Sequence, residues 1–229
     1  MTYREDRKGD IRLISIDRPP LHLLDREAIE ALSDAFARHP KSAPLVLTAE
    51  GTAFSAGVDA KAFASYGPAD RLELARAITE MTAHLLAIDG PLVAAVPGHA
   101  MGGGFVLMLC ADYRLLAANE KAKYALSEAA AGVPFPAGPA EIIRHELPPS
   151  LLRQMTLTSA PASVETLLRH AVIDEEIAPD ALLEAAFARA ERLAAQPAFS
   201  AVKAQVRGAL RQAVAKAMET GEPPAFGAA

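Results

Sequence analysis

The chain has 229 residues, 51% hydrophobic and 22% charged, with 17 Pro and 14 Gly, a composition that excludes a disordered or fibrous chain. It suffices for one full core, as one domain with an appendage or as two small domains. With 23 Lys and Arg against 28 Asp and Glu, a net charge of -5, the chain as a whole attracts neither nucleic acid nor an anionic membrane surface, so an anionic ligand must find a local basic patch.

The N-terminus MTYREDRKGD is charged and has no apolar run behind it, so it does not read as a secretory signal. Ile11-Arg12-Leu13-Ile14-Ser15-Ile16 alternates loosely at period two and stops at Asp17-Arg18-Pro19-Pro20, which reads as a strand entering a loop. From Asp25 to Arg38, Ile29, Leu32 and Phe36 recur at helical spacing, with Asp25 as the N-cap. Pro44 to Ala49 is a short apolar strand ended by Glu50-Gly51. A helix carrying Leu72, Leu74, Ile78, Met81, Leu85 and Ile88 follows, then the strand Pro91 to Val96.

Pro91 to Ala111 lacks Asp, Glu, Lys and Arg and is long enough for a bilayer, but Pro97-Gly98 and Gly102-Gly103-Gly104 would break a spanning helix at mid-depth. It reads instead as a buried strand, a turn and a buried helix. Cys110 is the single cysteine; it excludes an intramolecular disulfide, suits a reducing cytosol, and lies among Met108, Leu109 and Ala111 as a buried thiol. Strands alternating with helices predict an α/β layer architecture. After Leu151 the strand signal vanishes, and two helices are expected, Pro179 to Ala195 and Ala198 to Met218, separated by Pro197. The tail Gly221 to Ala229 is expected to fray.

Two glycine-containing turns each follow a strand: Ala53-Phe54-Ser55-Ala56-Gly57-Val58-Asp59 and Gly98-His99-Ala100-Met101-Gly102-Gly103-Gly104. The second opens directly into an apolar helix, whose first amides have no intrahelical partner and favour an oxyanion. Read alone, the three glycines serve equally to bring that helix close to a sheet.

Taken together and in order, Phe54 to Asp59 and Leu92 to Asp112 resemble the paired motifs of the crotonase (enoyl-CoA hydratase/isomerase) superfamily, with similarity running from about Ile11 to the Lys203 helix. The resemblance implies an α/β fold of the crotonase (ClpP-like) type, a spiral of ββα units over residues 1–178, with a helical C-terminal trimerisation segment over 179–229. It also implies an acyl-CoA thioester as substrate, no cofactor or metal apart from coenzyme A within that substrate, a homotrimer or dimer of trimers, and a cytoplasmic setting. The backbone amides of Val58 and Gly103 would form an oxyanion hole for a thioester enolate, one such donor being worth about 3 kcal/mol of barrier. Ala56, Gly57, Asp59 and Gly102, which build the two turns, are implied as substrate-binding residues.

Hydratases of this superfamily use two glutamates. At the first position stands Val106, which moves no proton; the second falls on Glu128 in Leu126-Ser127-Glu128, with Gly132 four residues on. One carboxylate beside an oxyanion hole suits proton shuttling better than water addition, and resembles the 3-enoyl to 2-enoyl-CoA isomerases. The interval from Asp112 to Glu128 is two residues longer than in the hydratase pattern, and Pro136-Ala137-Gly138-Pro139-Ala140 replaces a glycine pair, so Glu141 stays a second candidate. Either glutamate also reads as a solvated helix-start residue. Pro136 stands where dienoyl isomerases carry an Asp.

Lys61 matches a lysine near the nucleotide in the superfamily. Lys203, Arg207 and Arg211 share one helix face that either meets CoA phosphates or is simply solvated. Phe63, Met101, Val106, Pro134 and Phe135 are the acyl-chain candidates, each equally readable as core. Other chemistries fit poorly: Ser55 lacks the preceding glycine of a nucleophile elbow, His145-Glu146-Leu147-Pro148-Pro149 lacks the second zinc histidine, and no phosphate-loop or dinucleotide fingerprint is present. The alternatives left open are another reaction on the same oxyanion hole (hydration, decarboxylation, thioester hydrolysis) and a non-catalytic acyl-CoA-binding subunit.

Overall fold

The computed structural model describes residues 2–223 and residue 226. Strands β1 (Tyr3–Lys8) and β2 (Ile11–Ile16) form an antiparallel hairpin in which Tyr3 pairs with Ile16 and Lys8 with Ile11. The chain continues through α1 (Arg26–Ala37), β3 (Leu45–Ala49), β4 (Ala53–Ser55), α2 (Ala60–Ser65) and α3 (Pro68–Leu86). Next come β5 (Leu92–Val96), β6 (His99–Met101), α4 (Gly103–Leu109), β7 (Tyr113–Ala117), β8 (Tyr124–Ala125) and α5 (Glu128–Ala131). Then follow α6 (Ala137–Glu146), α7 (Pro149–Leu157), α8 (Val164–Arg169), β9 (Glu175–Ile177), α9 (Leu182–Ala194), α10 (Phe199–Val206) and α11 (Gly208–Thr220).

Two sheets result. The larger has the order β1-β2-β3-β5-β7-β9, parallel from β2 onward, and the smaller is the parallel set β4-β6-β8. Three times, a strand of the large sheet passes straight into a short strand of the small sheet and then into a helix: β3-β4-α2, β5-β6-α4 and β7-β8-α5. These are the expected ββα units.

Alternation within the large sheet sorts its side chains into two cores. Ile14, Ile16, Leu45, Leu47, Ala94 and Val96 face the main core with Ile29, Leu32 and Phe36 of α1, whereas Val46, Val93, Ala95, Leu115 and Ala117 face Leu182, Ala186, Phe187 and Ala190 of α9. Covering both faces explains why β3 and β5 are buried throughout and apolar except for Thr48, whose hydroxyl donates to the Ala95 carbonyl. Asp25 caps α1, accepting from the Ala28 N–H at 2.9 Å. Buried α4 leads to Cys110, whose thiol burial pushes up to about 12.

Several expectations for the last third need correction. A strand does occur there, β9, whose three residues are too short and too acidic to show an apolar pattern. The helix expected from Ala198 to Met218 breaks at Arg207, which ends α10 and precedes α11. Of the tail, Pro224, Ala225 and 227–229 lie outside the described residues, but Glu222 does not fray: its carboxylate accepts from the Thr79 hydroxyl at 2.5 Å and the Ala137 N–H at 2.6 Å. Phe226 is buried.

Candidate active site

The site grows from the repetition of the ββα unit. Because β4, β6 and β8 are neighbours and parallel, their C-terminal ends lie side by side, and the turn after each opens into a helix. Val58 follows β4, Gly103 follows β6 and Glu128 follows β8. Three short stretches far apart in sequence thus deliver three groups to one edge, the carboxyl edge at which parallel strands commonly present ligand-binding loops.

Gly57 lets the first two turns touch. Its φ is +82°, and a β-carbon added there would stand 2.7 Å from the Met101 carbonyl oxygen and 3.1 Å from the Gly103 nitrogen. Ser55 holds this turn from beneath, donating to the His22 carbonyl at 2.8 Å while accepting from the Gly57 N–H at 3.1 Å. That occupation, together with complete burial, explains why it is no nucleophile. The packing reading of the glycines also holds for Gly104, where a β-carbon would meet the Ser55 carbonyl oxygen at 2.3 Å.

Both amides assigned to the oxyanion hole are geometrically available. Val58 bridges Leu24, but the bridge is made by its neighbours: Leu24 N–H donates to the Gly57 carbonyl at 2.9 Å, and Asp59 N–H donates to the Leu24 carbonyl at 3.3 Å. Gly103 is the first residue of α4, where no intrahelical acceptor exists for its N–H. Neither amide has an acceptor among the described residues.

Val58 and Gly103 line a cavity of about 340 Å³ together with Glu128. The Glu128 side chain is not a solvated helix start: Oε2 is buried and meets no donor among the described residues, and a β-carbon added at Gly102 would stand 3.1 Å from Oε1. Burial pushes its carboxyl up to about 7. Glu141 lies elsewhere, on α6, paired with Arg144.

Ala56, Phe63, Gly102, Val106, Pro134 and Phe135 also line the cavity. Val106 is one turn along α4 from Gly103 and buried, so position 106 presents an apolar wall to the cavity. Four expected binding residues lie apart from its lining: Gly57, held in the turn contact described above, and three more. Asp59 caps α2, accepting from Lys61 N–H at 2.9 Å and Ala62 N–H at 3.0 Å; Lys61 is exposed; and Met101 contributes its carbonyl to the Gly57 approach rather than its side chain to the cavity.

The basic helix face is also corrected, because it points inward. Lys203 is 7% exposed and donates to Asp112 at 2.6 Å and to the Gly90 carbonyl at 2.8 Å. Arg207 binds Glu146 at 2.8 Å and Arg211 binds Asp89 at 2.7 Å. These cations fasten the C-terminal helices to the core; they are neither a solvated face nor free for phosphates. His99 accepts from the Lys123 N–H at 3.1 Å and so supports its turn.

Sequence reasoning missed the α3 wall of the cavity, Arg71, Leu74, Ala75 and Ile78, and the contribution of Phe226. A signal was present for the first: positions 71, 74, 75 and 78 recur at i, i+3, i+4 and i+7, so Arg71 lies on the apolar stripe of its helix. Among the described residues no helix is long and apolar enough to cross a membrane, and no group of His, Cys, Asp or Glu has metal-ligand spacing.

Residues 6–223 match the family described as enoyl-CoA hydratase/isomerase. The carnitinyl-CoA dehydratase of Salmonella heidelberg is 33% identical over 82% of this chain and 72% of its own length. A solved enoyl-CoA isomerase of Mycobacterium tuberculosis superposes with a TM-score of 0.84 at 27% identity, covering 95% of this chain and 96% of that one. A second solved structure of that same Mycobacterium tuberculosis protein, described there as a probable enoyl-CoA hydratase, superposes with a TM-score of 0.85 at 28% identity, covering 96% of this chain and 94% of that one.

Proposed function

We propose that this chain, which belongs to the enoyl-CoA hydratase/isomerase family and has its crotonase fold, is a 3-enoyl to 2-enoyl-CoA isomerase. In this reading the Val58 and Gly103 N–H groups receive the thioester oxygen. The Glu128 carboxylate removes a proton from C2, negative charge spreads from the thioester oxygen over the conjugated carbons, and the same proton returns at C4. The C3–C4 double bond becomes C2–C3, with no change in oxidation level and no water consumed.

The observation that carries this is the presence of one carboxylate in the cavity. Among its described lining residues Glu128 is the only acid, and Val106 stands where a second would hold a water. A carboxyl pushed to about 7 also suits a group that must both take and give a proton near neutrality. Acyl-CoA elimination of a hydroxyl is the second reading, favoured by the dehydratase relative; it shares the first proton removal but needs a partner for the leaving oxygen.

The test is incubation with 3-hexenoyl-CoA and crotonyl-CoA in D2O, following isomerisation, hydration and α-deuterium exchange, with Glu128→Gln as control. Isomerisation lost in the variant supports the proposal. Hydration of crotonyl-CoA as the dominant reaction overturns it, and tight acyl-CoA binding without turnover points to a binding subunit. For assembly we propose a homotrimer or dimer of trimers, supported by Val202 and Val206, which are 51% and 76% exposed on α10, and checked by sedimentation.

A further inference from the structure

Arg71 is the one charged side chain of the cavity wall besides Glu128, among its described residues, and its surroundings give it nothing to bind. Its Nε is buried with no acceptor, and no described residue forms a hydrogen bond or ion pair with its guanidinium. The nearest compensation is the Phe63 ring, 5.1 Å from the guanidinium carbon. A ring face attracts the cation, yet it accepts none of the in-plane N–H donors. Leu74, Ala75 and Ile78, which follow it along the same stripe of α3, are apolar.

Arg71 is itself only partly buried, so water reaches part of its guanidinium, but a buried Nε with no acceptor is unfavourable on a group that is always charged. The other guanidinium groups that reach into this protein's core are paired: Arg12 with Glu5, Arg114 with Glu146, Arg207 with Glu146. Arg71 departs from that rule where a ligand would lie. Its planar fork matches a carboxylate in bidentate fashion. Such a group on the substrate would also need a cation, since the cavity already holds the Glu128 carboxyl.

We propose that Arg71 is a specificity-determining residue that selects acyl groups ending in a carboxylate, so that the substrates are CoA thioesters of unsaturated dicarboxylic acids. With the thioester oxygen at Val58 and Gly103, the acyl chain runs along the α3 wall, and its distal carboxylate meets Arg71 in the cavity. This rests on the cavity being the acyl site, as proposed above, but not on the reaction being isomerisation.

The test separates binding from turnover. Dissociation constants of hexanoyl-CoA, adipoyl-CoA and free CoA are measured by calorimetry on the wild-type protein and on Arg71→Met and Arg71→Lys variants of unchanged circular dichroism. Rates are measured with 3-hexenoyl-CoA and its ω-carboxylate counterpart, 3-hexenedioyl-CoA.

The expected result is at least tenfold tighter binding of adipoyl-CoA than of hexanoyl-CoA by wild type. Arg71→Met loses that preference, Arg71→Lys partly keeps it, and free CoA binds all three proteins alike. Equal weakening of all three ligands in Arg71→Met would place Arg71 on the CoA phosphates and overturn the proposal, as would the absence of a wild-type preference. If adipoyl-CoA is preferred through Arg71 but neither enoyl thioester is isomerised, the selectivity stands and the isomerase reading falls.

Discussion

The Glu128 carboxylate lies against Gly102, so close that a β-carbon there would stand 3.1 Å from Oε1. The acid is therefore at the turn that presents the Gly103 amide, at the end of the adjacent strand of the small sheet. One carbon chain can engage the amides and the acid at once.

Glu128, as the proposed base, should set the pH dependence. With its carboxyl at about 7, kcat/KM for isomerisation should rise about tenfold per pH unit below 7 and level off above it. Stability follows the opposite direction. A carboxyl raised from 4.5 favours the folded state fully below 4.5, and that contribution is lost as pH rises through about 7. Glu128→Gln should abolish turnover and be more stable than wild type at pH 8, on the order of 3 kcal/mol, with a smaller difference at pH 5. Urea denaturation at the two pH values checks the sign.

Gly57→Ala should separate the two turns. The positive φ costs about 1 kcal/mol for a residue with a β-carbon, and both groups that the methyl meets are backbone, so neither can swing away. Losing the alignment of one donor predicts a fall of about 10²–10³ in kcat in a folded variant. Activity within tenfold of wild type would mean that Val58 and Gly103 do not act together.

Val106→Glu should bring hydratase character. The new carboxyl enters the cavity wall one turn from Gly103, at a stability cost of roughly 1–3 kcal/mol for a buried polar group. Hydration of crotonyl-CoA by the variant, above the wild-type rate, is the expected outcome. No gain in a folded variant would show that position 106 does not face the reacting carbons.

Asp112→Ala should destabilise the protein by about 3–5 kcal/mol, the usual cost of breaking a buried ion pair. Asp112 accepts from Lys203 at 2.6 Å and from the Leu92 N–H at 2.8 Å, and lies 3.4 Å from Arg207. A lower urea midpoint is expected, and the double change with Lys203→Met should recover part of the loss.

What the sequence disclosed and what it hid follow from locality. The two glycine turns, the Asp25 cap and the Glu128 turn are each set by a few consecutive residues, so they are readable in order along the chain. β1 hides because an edge strand with five of six residues exposed is charged rather than apolar, and β9 because three residues carry no period. Lys203, Arg207 and Arg211 mislead because their carboxylate partners lie 61 to 122 residues away. Arg71 is hidden for a different reason: it is a charge near a helix start, and only its place on the Leu74 and Ile78 stripe marks it as facing the cavity.

Cys110, the single thiol of the chain, is fully enclosed and protonated at neutral pH. The native protein is therefore already a thiol-silent background for maleimide chemistry. A cysteine introduced at exposed Leu157 would be the one reactive thiol, allowing a single fluorophore to be attached there without removal of the native cysteine.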